Sequence, residues 1–310
     1  MSSKFPCSDD NKRYHSLFYY NKHRFGHRVY KAVLNGGFTC PNLDGSKGTQ
    51  GCAFCDGGSG AFTKALPLQK QLELELSRIR KQNSDAKAIA YFQVHTNTYA
   101  PVDYLRNLFE QAISYSGIIG ISIGTRPDCL PDNVLDYLSD LHQRTYLTIE
   151  LGIQTAHDAT AEAFGRGYAF SEFLESYQRL QSLNIRTCLH IINGLHQESI
   201  ADMIQTAEIL GRLRPQAVKI QLLHVLKDTR YADLYQSGEY HPMTQEDYIF
   251  TVVKQLEYFP PETVIERLTG DGEKAKLLAP LWSRDKIRTL GYIDKLQVQL
   301  DTWQGKSHSG

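Results

Sequence analysis

The sequence has no net charge, no long apolar run and no low-complexity tract. Its 34 basic residues balance 34 acidic ones, so bulk electrostatics selects neither a nucleic-acid nor an acidic partner, and such a partner must be argued from local patches. No apolar stretch approaches the length of a bilayer span. The first residues, MSSKFPCSDDNKRYH, lack the apolar core of a signal peptide. The expectation is a soluble, cytoplasmic protein with no membrane partner. No internal repeat stands out. Six cysteines in 310 residues do not make a disulfide framework in that compartment, so the thiols are core residues, metal ligands or reactive groups.

What is present is an alternation. Short apolar runs at 29–34, 88–94, 120–124, 146–151, 187–192 and 217–223 read as buried strands, and segments of helical spacing at 102–115, 133–142, 171–182 and 200–213 lie between them. This order predicts an α/β protein with a parallel sheet and crossover helices, roughly six βα units in an open or partial barrel. In such folds the chemistry gathers at the C-terminal ends of the strands. The polar residues singled out below nearly all follow predicted strands.

Three cysteines, Cys40, Cys52 and Cys55, share one glycine-rich loop with the spacing C-x11-C-x2-C. Thiolates at such spacing suit zinc or an iron-sulfur cluster. A structural zinc normally needs a fourth ligand nearby, and the loop holds none. Three protein ligands leave one iron of a cluster open to a substrate or cofactor. A zinc site completed by a distant histidine is the other reading, and the spacing alone does not choose between them.

The loop resembles the cluster motif of radical S-adenosylmethionine (SAM) enzymes, which also ends in cysteine, one residue, an aromatic and cysteine; here the aromatic is Phe54. The long first gap resembles the subgroup related to the catalytic subunit of Elongator. Further matches are YFQVHTNTYAP, GISIGTRPD, IELGIQT followed by GRG, and HIINGLHQES. Together they resemble the Elongator-subunit-like bacterial YtqA/YhcC group over nearly the whole chain. The resemblance implies a (β/α)6 partial TIM barrel with N- and C-terminal extensions. It also implies a [4Fe-4S] cluster on Cys40, Cys52 and Cys55, cleavage of SAM, hydrogen abstraction from a substrate, and a low-potential electron donor such as flavodoxin or ferredoxin.

Glu150, Gln154 and Arg166 form an E-x3-Q-x11-R pattern after a predicted strand. A carboxylate can accept both ribose hydroxyls, and an arginine can hold the SAM carboxylate through paired bonds. The Gln and Arg resemble SAM contacts of coproporphyrinogen-oxidase-like members. Against this stands an ordinary salt-bridged strand end. Ile192 is placed where the superfamily lays a strand against adenine. The superfamily's Gly-Gly-Glu after the second strand is absent, and Gln93, His95 and Thr96 stand in its place. Arg126 reaches the site or pairs with Asp128. Cys188 reads as a core thiol and Cys129 as a thiol near the mouth. The scattered Cys7, Cys129 and Cys188 do not make a second cluster.

Residues 11–31 carry six Lys or Arg and no acid, interleaved with aromatics. Cations grip phosphates and aromatic faces stack on unpaired bases, so an RNA loop competes here with a surface segment packed on the barrel. The expected division is 1–30 as a basic, aromatic extension, 31–230 as the radical SAM core and 231–310 as a closing element that includes Arg267 to Asp271. Together with the Elongator-like resemblance, the arm points to a tRNA substrate and a wobble uridine whose 5-carboxymethylaminomethyl group is remodelled towards 5-aminomethyl. The rivals are a radical SAM enzyme acting on a small metabolite, peptide or tetrapyrrole, and a zinc-stabilised RNA-binding module.

Overall fold

A computed structural model describes residues 5–56, 66–270 and 272–309; Asp271 of the expected closing element lies outside them. Nine strands are formed: β1 (Val29–Leu34), β2 (Lys87–Phe92), β3 (Ile118–Thr125), β4 (Tyr146–Gln154), β5 (Arg186–Asn193), β6 (Ala217–Leu222), β7 (Val225–Leu226), β8 (Val264–Arg267) and β9 (Leu277–Ala279). Seven of them make one sheet in the order β1-β2-β3-β4-β5-β6-β8, with every pairing parallel. This is the expected partial barrel, with β8 as a seventh strand. The short strands β7 and β9 pair antiparallel beside it.

Ten helices accompany the strands: α1 (Leu17–Phe25), α2 (Leu68–Arg80), α3 (Val102–Ile113), α4 (Asp132–Arg144), α5 (Asp158–Ala163), α6 (Phe170–Ser182), α7 (Ile200–Arg212), α8 (Arg230–Ser237), α9 (Gln245–Tyr258) and α10 (Lys286–Gln299). The crossover helices bury residues three and four apart, such as Leu105, Phe109 and Ala112 of α3 or Phe173, Tyr177 and Leu180 of α6. These apolar stripes cover the outer face of the sheet. Side chains alternate between the faces of a strand. On β4, Leu147, Ile149, Leu151 and Ile153 join the main core, while Glu150, Gly152 and Gln154 line the cavity inside the barrel.

The inner face is filled by charge. Glu150 of β4 accepts from Lys31 (2.6 Å), Ser122 (2.6 Å), His190 (2.8 Å) and Lys219. Glu266 of β8 accepts from Lys31 (2.9 Å) and Arg186 (3.0 Å). Lys31 stands on β1 and Glu266 on β8, the two edge strands of the sheet. Their ion pair ties the edges together by side chains.

Residues 11–31 take the packed alternative. His15 O accepts from Ile265 N, and the Tyr20 hydroxyl lies 3.4 Å from that of Tyr146. The Arg186 guanidinium sits over the Tyr20 ring, and Phe25 meets Tyr146 edge-on. Tyr146 and Arg186 open β4 and β5, so α1 closes the end of the barrel where the strands begin. Lys12 pairs with Asp294 and Arg13 with Asp301. Lys31 is an interior residue. The expected RNA grip is therefore corrected in place: it lies at the pole of the barrel opposite the strand C-termini.

Candidate active site

At the C-terminal ends of the strands is a cavity of about 550 Å³, and Cys40, Cys52 and Cys55 all line it. Cys40 follows β1, and its carbonyl accepts from Leu43 N and Asp44 N, which turns the chain back. Asn42 then ties the loop down: its amide donates to Gly165 O (2.8 Å), Arg166 O (3.1 Å) and Cys52 Sγ (3.4 Å). Ala53 N donates to Phe164 O, and Phe54 packs on the Phe164 ring. The aromatic before the last cysteine thus anchors the loop.

All three thiols are partly exposed. Burial pushes the Cys52 thiol up to about 11, and the Cys55 and Cys40 sulfurs push it the same way, while Asn42 and Arg126 oppose them. Among the described residues no three His, Cys, Asp or Glu side chains meet at one point, as a single ion requires. A four-iron cluster takes its thiolates one per iron from separated positions. Three soft donors around one cavity fit that group.

Beside the thiols, Arg126 makes a two-pronged bond to Asp128 (2.9 and 2.8 Å), and Lys47 reaches the same carboxylate at 2.7 Å. Tyr168 lies between Arg126 and Arg166, each guanidinium within 5.0 Å of the ring centroid. Two non-glycine residues of the lining have left-handed backbones, His95 (φ 59°) and Gln154 (φ 60°). Such conformations cost of order 1–3 kcal/mol each and gather where a site needs them. At Gln154 the register of β4 slips. A Cβ on Gly152 would lie 2.6 Å from the Gln154 amide nitrogen, so only glycine leaves room for that side chain over the cavity.

The Radical SAM superfamily model matches residues 45–210, and the Radical_SAM C-terminal domain model matches residues 215–297. The chain belongs to the radical SAM superfamily. It is 44% identical to YtqA of Bacillus subtilis over 309 residues, covering 99% of this chain and 96% of that one. It is 35% identical to YhcC of Escherichia coli K12 over 274 residues, 88% of each chain. Elongator complex protein 3 of Bos taurus is 28% identical over 174 residues, 53% of this chain and 31% of that one. In fold, the chain is similar to the archaeal Elp3 of Methanocaldococcus infernus, with a TM-score of 0.68 at 15% identity over 89% of this chain and 64% of the other.

As a radical SAM enzyme the protein uses SAM and a [4Fe-4S] cluster. Of the expected contacts, Gln93, Gln154 and Ile192 all line the cavity that the cysteines share. Glu150 differs from expectation. Its two oxygens already accept four donors, which uses the roughly four lone pairs of a carboxylate and leaves none for ribose hydroxyls. Arg166 differs as well. It is 1% exposed and donates to Tyr168 O, Ile153 O, Thr155 O and Asp158 Oδ1. Four of its five N–H groups are thus spent on holding the loop after β4, close to the salt-bridged strand end that was the alternative. Cys188 is fully buried, as expected of a core thiol. Cys129 is buried beside Asp128, its thiol pushed up to about 12 by burial first and that carboxylate second.

Sequence reasoning missed the inward residues Lys31, Tyr91, His190 and Lys219. The signal was available in the strand alternation, which puts Lys219 and Gln221 on one face of AVKIQLL. Among the described residues no helix is long and apolar enough to cross a membrane.

Proposed function

We propose that this radical SAM enzyme acts on the wobble uridine of tRNA, remodelling a 5-carboxymethylaminomethyl group towards 5-aminomethyl. The observation that carries the reading is the cavity. A bowl of about 550 Å³ is the size of a small-molecule site, so it takes a cofactor and the arm of one base but not a duplex. An unpaired anticodon loop can offer such a base. The Elongator-like resemblance supports the same substrate class.

When bound, the cluster supplies the electron that cleaves SAM and so makes possible hydrogen abstraction from a substrate carbon. The chain's own residues bind, orient and exclude water. Cys40, Cys52 and Cys55 hold the cluster. Gln154 and Gln93 offer amides to the polar part of SAM, and Ile192 offers an apolar surface to adenine. Arg166 and Asn42 act by fixing the loops that carry these groups. Gln154→Ala is expected to weaken SAM binding about fivefold, the loss of one neutral hydrogen bond, with iron content unchanged. Equilibrium dialysis against labelled SAM measures this, and unaltered affinity removes Gln154 from the site.

The substrate reading is tested with the anaerobically reconstituted enzyme, SAM, a reductant and an anticodon stem-loop bearing 5-carboxymethylaminomethyluridine. Mass analysis should show the shortened 5-aminomethyl nucleoside, dependent on SAM. An untouched nucleoside under conditions where SAM is cleaved contradicts the reading.

A further inference from the structure

The cavity wall built from the ends of β6 and β8 carries Lys219, Gln221, His224 and Arg267. Lys286, the first residue of α10, stands close by, and its charge and that of Arg267 are felt at His224. The imidazole is held tightly against the following loop. A Cβ on Gly270 would lie 2.5 Å from a His224 ring carbon, so a side chain at 270 would displace the ring. Burial first, then Lys286 and Arg267, lower His224 to about 4, and it stands in the cavity as a neutral imidazole.

The charge of this wall is unbalanced. Inside the barrel, the carboxylates of Glu150 and Glu266 are shared among Lys31, Lys219 and Arg186. Three cations already face two anions before Arg267 and Lys286 are added. At the rim, Asp56 and Glu273 pair with Lys276. Cations gathered in a shielded cavity are costly unless an anion joins them.

We propose that Gln221, His224 and Arg267 form an anion subsite that receives the carboxylate at the end of the substrate's reacting arm. This rests on the wobble-uridine reading. A guanidinium matches a carboxylate with two parallel bonds. The glutamine amide and a neutral imidazole can each add an N–H. The subsite shares one bowl with the thiols, so an arm anchored there is held within the reaction cavity. Its specificity is for a terminal carboxylate over an uncharged group of the same shape. The same chemistry is present in the carboxylate of SAM, and the test separates the two sources.

Three anticodon stem-loops serve as probes, identical except at the wobble position: unmodified uridine, 5-carboxymethylaminomethyluridine and the uncharged amide of that arm. Binding to the reconstituted enzyme with SAM is read by fluorescence anisotropy. The acid should bind about tenfold or more tighter than the amide, the effect of a charge-assisted bond. In Arg267→Gln that ratio should fall to within about twofold, while Arg267→Lys, which keeps the charge, should retain most of it. SAM affinity by equilibrium dialysis should be unchanged in both. Equal binding of acid and amide by the parent enzyme overturns the subsite, as does a ratio that survives in Arg267→Gln. A loss of SAM affinity in Arg267→Gln assigns the anion to the cofactor and also overturns it. If Arg267→Gln does not fold, the parent's acid-to-amide ratio and the Arg267→Lys result still decide. Failure of all three RNAs to bind is a different outcome: it removes the wobble-uridine reading, and the subsite with it.

Discussion

Cys52→Ser is expected to abolish cluster iron and SAM cleavage together. Three thiolates hold the group, and serine offers a hard, poorly ionised oxygen where iron-sulfur chemistry needs a soft donor. The loop itself should persist, because Asn42, Phe54 and the backbone bonds to residues 164–166 tie it down without the metal. Cys40→Ser and Cys55→Ser should behave the same way. Cys7→Ser should keep full iron, since Cys7 does not line the cavity. Iron analysis and visible absorption after anaerobic reconstitution read the result, with circular dichroism showing that the fold remains. A Cys52→Ser protein with parental iron and activity overturns the cluster assignment.

Glu150→Ala is expected to cost about 3–5 kcal/mol of stability, the scale for removing one partner of a buried ion pair. Lys31, Lys219, Ser122 and His190 all direct donors at this carboxylate. Without it, Lys219 keeps only the Tyr91 hydroxyl at 3.2 Å and the edge of Glu266 at 4.0 Å. Urea unfolding measures the loss. The double variant Glu150→Ala with Lys219→Met should lose less than the sum of the two single changes, because the second change removes a cation that the first left stranded. Acid acts on the same network. Burial raises both carboxylates, but at Glu150 the charges of Lys219 and Lys31 outweigh it, and at Glu266 Lys31, Arg186 and Lys219 bring the group to about 2. A depressed folded value means that the contribution is complete above the unfolded value of about 4.3. It is lost as pH falls from there towards about 2. Glu150→Ala should therefore flatten the acid limb of the stability curve. A change below about 1 kcal/mol with an unchanged acid limb contradicts the network's role.

The fold was legible because parallel strands covered by helices write themselves as short apolar runs. The run at 217–223 appears as Ala217–Leu222 and that at 187–192 within Arg186–Asn193. The strand β8 was not legible: four residues carry no periodicity of their own, and their strand exists only through pairing with β6. The cysteines were legible because all three ligands sit in one loop. Glu150 and Arg166 were read correctly as polar groups at strand ends, but their partners come from β1, β3, β5 and β6 in one case and from four nearby backbone and side-chain oxygens in the other. Only closure of the sheet brings Lys31 to a carboxylate 119 residues away. The arm shows the converse limit. A string of cations and aromatics looks the same whether it grips RNA or plugs a barrel, and the contacts of Tyr20 and Phe25 with the strand starts decide where it packs.

The most direct test of the proposed activity is the nucleoside profile of tRNA from cells lacking this protein, compared with the parent and with cells carrying Cys52→Ser. The account predicts that both altered cells accumulate 5-carboxymethylaminomethyl nucleosides and lose the 5-aminomethyl forms. Profiles identical to the parent would contradict the wobble-uridine assignment and leave the enzyme's membership of the radical SAM superfamily intact.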